Sequence, residues 1–196
     1  MFVLTALAHF DIFSAVPLDD EISYADLAAK VGLSTDHTRR IIRHAMTNNI
    51  FAESRPGHVM HTASSIVPVK FPNVKSWIGH NGDDASQASV KMVEAMTRWG
   101  HSQEPAESGF GIAFGLNTSA GRDSVFSFVQ QDGKGDKKGW RMKRIGEAMA
   151  AMKGAGGYDV GHIHAGFDWE SLGSAKIVDV SALFSFTVQT AFKICV

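Results

Sequence analysis

Apolar positions in the first 67 residues come in short runs at helical spacing, cut by turn signals. Leu4, Leu7, Ala8 and Phe13 fall roughly on one helical face. Ile22, Ala25, Leu27, Ala28 and Val31 define a second short helix, with Ser23 as its N-cap, Asp26 three residues on and Gly32 as its stop. Ser34 caps a third, and Asp36 in its first turn suits the helix dipole. Its buried face is Ile41, Ile42, Ala45 and Met46, and Asn48-Asn49 ends it. Phe51 to Ser54 and His58 to His61 then flank Pro56-Gly57, the pattern of two short strands around a turn.

Helix, turn, helix and hairpin in that order predict a winged helix over residues 1–67. From about Pro68 to Phe114 the pattern stays helical. Met92, Val93, Ala95, Met96 and Trp99 give an amphipathic segment within Ala88 to Trp99, ended by Gly100. Ser124 to Val129 starts another helix, Asp132 to Gly139 is a charged Gly/Lys loop, and Met142 to Met152 is helical until Gly154 to Gly157. Past Phe167, the β-branched run Ala175 to Val180 predicts one strand. The expected fold is mainly α. It comprises a winged-helix module (1–67), a helical region (68–166) and a segment with one strand (167–196).

Charge and composition narrow the functional classes. With 19 Lys and Arg against 20 Asp and Glu the net charge is −1, without the basic excess of a general polyanion binder. Arg39, Arg40, Arg43 and His44 on the would-be recognition helix raise a DNA-binding regulator as an alternative, but Arg55 alone serves the wing and Asp19, Asp20, Glu21 and Asp26 lie close in sequence. The single cysteine, Cys195, rules out an intrachain disulfide and fits a reducing, cytoplasmic setting. Met1 to Ala8 lacks the basic residues that open a signal peptide, and no apolar run reaches transmembrane length, so no membrane association is expected. His162-Ile163-His164 reads as two imidazoles on one face of an extended segment; with no third ligand in any metal-site pattern, no metal is expected. Gly109 to Gly115 and Gly154 to Gly161 lack the strand-then-helix context of nucleotide loops.

Several segments together carry a family resemblance. Ser23-Tyr24-Ala25-Asp26-Leu27-Ala28, Arg39 to Met46, Ile50-Phe51 and His61-Thr62-Ala63-Ser64 resemble the dimerisation domain of fungal O-methyltransferases. Trp77 to Asn81, Trp99 to Pro105, and Asp168-Trp169 leading into Lys176 to Val180 continue the resemblance to about residue 180. It implies methyl transfer from S-adenosylmethionine to a phenolic hydroxyl in secondary metabolism, homo- or heterodimers through the winged-helix region, and a phenolic or polyketide acceptor. Methionine and aromatic side chains suit a flat phenolic ligand. On that basis Met92, Met96, Trp99, Phe110, Phe114, Met149 and Met152 are the substrate-side candidates, each weighed against ordinary core packing.

The resemblance implies that residues 167–196 open a Rossmann-like S-adenosylmethionine domain, and it stops after Asp179-Val180, the strand remnant where relatives enter a glycine-rich turn. Those glycines let the backbone turn tightly and approach the cofactor. Here Ser181-Ala182-Leu183-Phe184-Ser185-Phe186 follows, and no glycine occurs after Gly173. The acidic ribose ligand and the downstream histidine base of the family have no counterpart either. The reading is therefore a truncated family member with no catalytic residue assigned, expected not to bind S-adenosylmethionine by itself. A module that pairs with an intact O-methyltransferase is the first alternative.

Overall fold

The computed structural model describes residues 2–116, 125–153 and 160–174. It is mainly helical, with one small antiparallel sheet, and divides into two compact units, residues 1–151 and 152–196. The strand expected over Ala175 to Val180, the glycine stop after Lys153 and Asp179 lie outside the described residues.

The first unit opens with α1 (Phe2–His9) and α2 (Ile12–Ala15), separated by Asp11 in the left-handed region at φ 51°. Phe13 therefore sits on a second helix rather than on the one carrying Leu4 and Leu7, yet it is still buried. β1 (Ile22–Ser23) leads into α3 (Tyr24–Val31), whose cap Ser23 accepts from the Asp26 amide at 3.1 Å. Gly32 ends α3 at φ 69°, a conformation that costs a glycine little. α4 (Thr35–Met46) starts on Ser34, which accepts from the His37 amide at 3.2 Å. β2 (Ala52–Glu53) and β3 (His58–Met60) form the expected hairpin, and β3 lies in the middle of the sheet with Ile22 opposite Val59 and Ala52 opposite Met60.

These elements share one core of Leu7, Ile12, Phe13, Leu27, Ile42, Phe51 and Val59, all essentially without solvent contact. Buried among them, His61 pairs Nδ1 with the Ser65 hydroxyl at 2.8 Å and Nε2 with the Val16 carbonyl at 3.2 Å. Nε2 must donate to that carbonyl, and in the neutral ring Nδ1 then accepts from the Ser65 hydroxyl. Burial pushes the His61 pKa below its ordinary 6.5, partly countered by the carbonyls of Val16 and Phe13. An unfolded chain, keeping the ordinary value, then takes up the proton first as pH falls. Stability is complete above pH 6.5 and declines below it. Thermal unfolding midpoints measured from pH 7.5 to 5 should fall on the acid side, with a shallower fall in His61→Gln. An identical slope in the variant would remove His61 from the explanation.

Thr62 begins α5 (Ala63–Lys70) with a reciprocal capping box to Ser65. α6 (Pro72–Gly79) follows, then a π-helical turn (His80–Ala85), α7 (Ser86–Val90) and α8 (Met92–Trp99). The single amphipathic helix expected over Ala88 to Trp99 is thus broken at Lys91. α9 (Gly109–Phe114), α10 (Val125–Gln131), a 3-10 turn (Gly135–Lys137) and α11 (Trp140–Lys153) complete the series. Gly109 and Gly111 are sites of close approach: a Cβ on the first would meet the Ala88 carbonyl at 2.4 Å, on the second the Ala106 carbonyl at 1.7 Å.

In the second unit α12 (Val160–Gly166) precedes a 3-10 turn (Glu170–Leu172), and the Trp169 indole donates to the Ile163 carbonyl at 3.0 Å. His162 and His164 therefore stand on a helix, not on an extended segment. Residues two apart on a helix point to different sides, so the two rings do not share a face.

Candidate functional site

Met92, Met96 and Trp99 recur at intervals of four and three along α8 and so lie on one stripe. They line a cleft of about 380 Å³ together with Ala88, Ala95 and Gly109. Gly109 lets the start of α9 come against Ala88 and Met92. Met92 and Met96 are 57% and 64% exposed, so this face of α8 is open rather than packed as core. Glu107, Ser102 and Ser108 supply the polar edge.

Phe110 and Phe114 stand one helical turn apart on α9, ring centroids 4.4 Å from each other, and Phe128 of α10 meets them at 5.9 and 5.4 Å. Beneath this group lies the Arg141 guanidinium, 4.8 Å from the Phe114 centroid, 5.7 Å from Phe128 and 4.5 Å from Trp140. The electron-rich ring faces attract the cation. Of the remaining sequence candidates, Met149 on α11 does not line the cleft, and Met152, in the last turn of that helix, belongs to the second unit.

Arg141 is held by a charge network that sequence reasoning missed. Its Nε donates to Asp132 Oδ2 at 2.5 Å and its Nη1 to Asp84 Oδ1. Arg144, one turn later and stacked on Trp140 at 4.5 Å, donates through Nη1 to Asp83 at 2.5 Å and through Nη2 to Asp84 Oδ2 at 2.7 Å. The Asp84 side chain is 2% exposed, those of Arg141 and Arg144 14% and 13%. Burial, and then repulsion from Arg144, lower the Arg141 pKa, although an arginine retains its charge throughout the physiological range.

His80 places Nδ1 3.1 Å from Asp84 Oδ2. Burial first, and the Arg144 charge second, nevertheless lower its pKa, because both Asp84 oxygens are committed to guanidiniums. His80 is thus a neutral donor at pH 7, and the network is a fixed charge frame rather than a proton relay. The π-helical turn explains how Asp83 and Asp84 both reach α11: its extra residue per turn re-aims successive side chains. Adjacent acids at 83–84 and arginines three apart at 141 and 144 were visible in the sequence, but nothing there linked segments 57 residues apart. Among the described residues no group of three or more His, Cys, Asp or Glu is placed to hold a metal ion, and no helix is long and apolar enough to cross a membrane.

Against known proteins, residues 1–67 match the O-methyltransferase dimerisation domain. O-methyltransferase aurJ of Gibberella zeae is 33% identical over 181 residues, covering 92% of this chain. This chain is a relative of the fungal O-methyltransferases. A chlorophenol O-methyltransferase of Trichoderma longibrachiatum is 32% identical over 165 residues, or 84% of this chain. The chain spans 39% and 33% of the lengths of those two relatives. Among solved structures, OxaC in complex with sinefungin and meleagrin superposes with a TM-score of 0.73 over 98% of this chain and 47% of its own, at 16% identity. That likeness concerns the fold alone.

Proposed function

We propose that this chain provides the dimerisation and acceptor-facing part of an S-adenosylmethionine-dependent O-methyltransferase whose acceptor is a phenolic hydroxyl. The observation that carries the reading is the open cleft of Met92, Met96 and Trp99 beside the Phe110–Phe114–Phe128 group, in a chain related to a chlorophenol O-methyltransferase. Polarisable thioethers and ring faces bind a flat aromatic without demanding one orientation. Residues 1–67 are read as a winged helix serving dimerisation, 68–166 as the helical acceptor side and 167–196 as the beginning of the cofactor domain. In a complete site, orientation of acceptor and methyl donor together with proton removal from the phenol would supply the catalysis.

Ser181 to Phe186 lie outside the described residues; by sequence they follow Asp179-Val180 where the family resemblance implies a glycine-rich turn, and bulky Leu183, Phe184 and Phe186 do not suit a turn that must pass close to the methionine end of S-adenosylmethionine. No catalytic step is assigned to this chain through that cofactor. Pairing with an intact relative is the second reading, favoured by the dimerisation-domain match.

Titration of the 196-residue chain with 2,4,6-trichlorophenol, followed by tryptophan fluorescence, should saturate. The change should be largely lost in Trp99→Phe, and Met92→Ala with Met96→Ala should weaken binding about tenfold. Calorimetry with S-adenosylmethionine should give no stoichiometric heat. No saturable phenol signal would refute the acceptor-side assignment, and tight cofactor uptake with turnover would refute the cofactor reading.

A further inference from the structure

Charge is distributed unevenly along the first unit. Residues 1–29 carry five carboxylates (Asp11, Asp19, Asp20, Glu21 and Asp26) and no Lys or Arg. Asp11 pairs with Lys75, Glu21 with Arg55, Asp26 accepts from Ser23, and Asp20 accepts from the Glu21 amide at 2.7 Å. Asp19 and Asp20 are exposed on the loop between α2 and β1 and, among the described residues, form no ion pair. At the other extreme, the loop between α10 and α11 exposes Lys134, Lys137 and Lys138 with no ion-pair partner among the described residues; of its two carboxylates Asp132 pairs with Arg141 and Asp136 is exposed among the lysines.

That lysine loop is held rigidly. The amides of Lys137, Lys138 and Gly139 donate to the carbonyls of Lys134, Gly135 and Asp132 at 3.1, 3.0 and 2.7 Å. Gly133, at φ 92°, has its Cβ position 2.2 Å from the Lys137 carbonyl, so no other residue fits the turn. Asp132 ties the loop to Arg141 and thus to the buried charge frame. Three lysine charges within five residues, against the one exposed carboxylate of Asp136, repel one another. A loop unable to splay apart relieves that repulsion by meeting an anionic surface, and its rigidity lowers the entropy lost on docking.

We propose that the lysine loop of one copy docks against the Asp19–Asp20 loop of a second copy, the contact occurring twice across a two-fold axis. The inference rests on the dimer reading and deepens it. The acidic loop lies within the segment matching the dimerisation domain, and a second copy supplies the complementary charge to both loops at once.

The test uses two variants of the 196-residue chain. One carries Lys134→Glu, Lys137→Glu and Lys138→Glu; the other carries Asp19→Lys and Asp20→Lys. By sedimentation each variant alone should dimerise about tenfold or more weakly than the wild type, because both contacts become repulsive. A mixture of the two should form a heterodimer close to wild-type affinity, since both contacts are again between opposite charges; an intrachain contact could not produce that rescue. The wild-type dissociation constant should rise with salt. Unchanged self-association of either variant, or no rescue in the mixture, overturns the proposal while leaving the dimer itself standing. A wild type monomeric at every concentration overturns both. Lysine-dependent binding to anionic vesicles or duplex DNA, with dimerisation unaffected, also overturns it and assigns the loop to a polyanion.

Discussion

Asp84→Ala should destabilise the first unit by about 3–5 kcal/mol, among the largest effects of any single substitution outside the apolar core. Asp84 is 2% exposed and accepts from Arg141 and Arg144 at once, with His80 as a third neighbour. Removing it leaves two guanidiniums that are more than four-fifths buried with one carboxylate each, Asp132 for Arg141 and Asp83 for Arg144, and each retains a charge that deprotonation cannot relieve. Asp84→Asn should cost nearly as much, because the cavity needs the negative charge rather than the shape. By contrast Arg39→Ala, which removes a half-exposed pair to Asp36, should change little. Urea unfolding of the three variants provides the comparison. Equal midpoints for Asp84→Ala and the wild type would mean that the charge frame contributes nothing net.

Phe51→Ala should cost a similar ~3–5 kcal/mol, for a different reason. Phe51 is 1% exposed and stacks on Phe13 at 5.8 Å and on the His61 ring at 5.2 Å. It also holds φ at 67°, which a bulky residue adopts only at a cost of about 1–3 kcal/mol. Burial of the ring outweighs that cost. Alanine loses the ring and keeps the strain, whereas glycine loses the ring and relieves it. Phe51→Gly should therefore be more stable than Phe51→Ala by about 1 kcal/mol, the reverse of the usual order away from positive φ. Thermal or urea unfolding of the two variants reads the sign directly, and the ordinary order would show that the backbone at Phe51 is unstrained.

Both substitutions mark the boundary of what could be read along the chain. The caps at Ser23 and Ser34, the stop at Gly32 and the hairpin about Pro56-Gly57 were legible because each depends on residues within four positions of one another. The kink at Lys91 was not legible, since the apolar periodicity runs through it; neither was the helical state of His162 to His164. At the candidate site the stripe Met92, Met96 and Trp99 followed from spacing, whereas Phe128, Trp140 and the arginines behind the Phe110–Phe114 pair did not.

By itself the sequence determined the capped helices α3 and α4, the hairpin after them, the amphipathic stripe of α8 and the fungal O-methyltransferase relationship. All of these are carried by short-range patterns of capping, periodicity and motif order. Only the tertiary structure decided that Asp84 meets Arg141 and Arg144 and that Phe51 is buried in a left-handed conformation. Each depends on the free energy of burying particular groups against partners far away in the chain, and no local propensity encodes that sum.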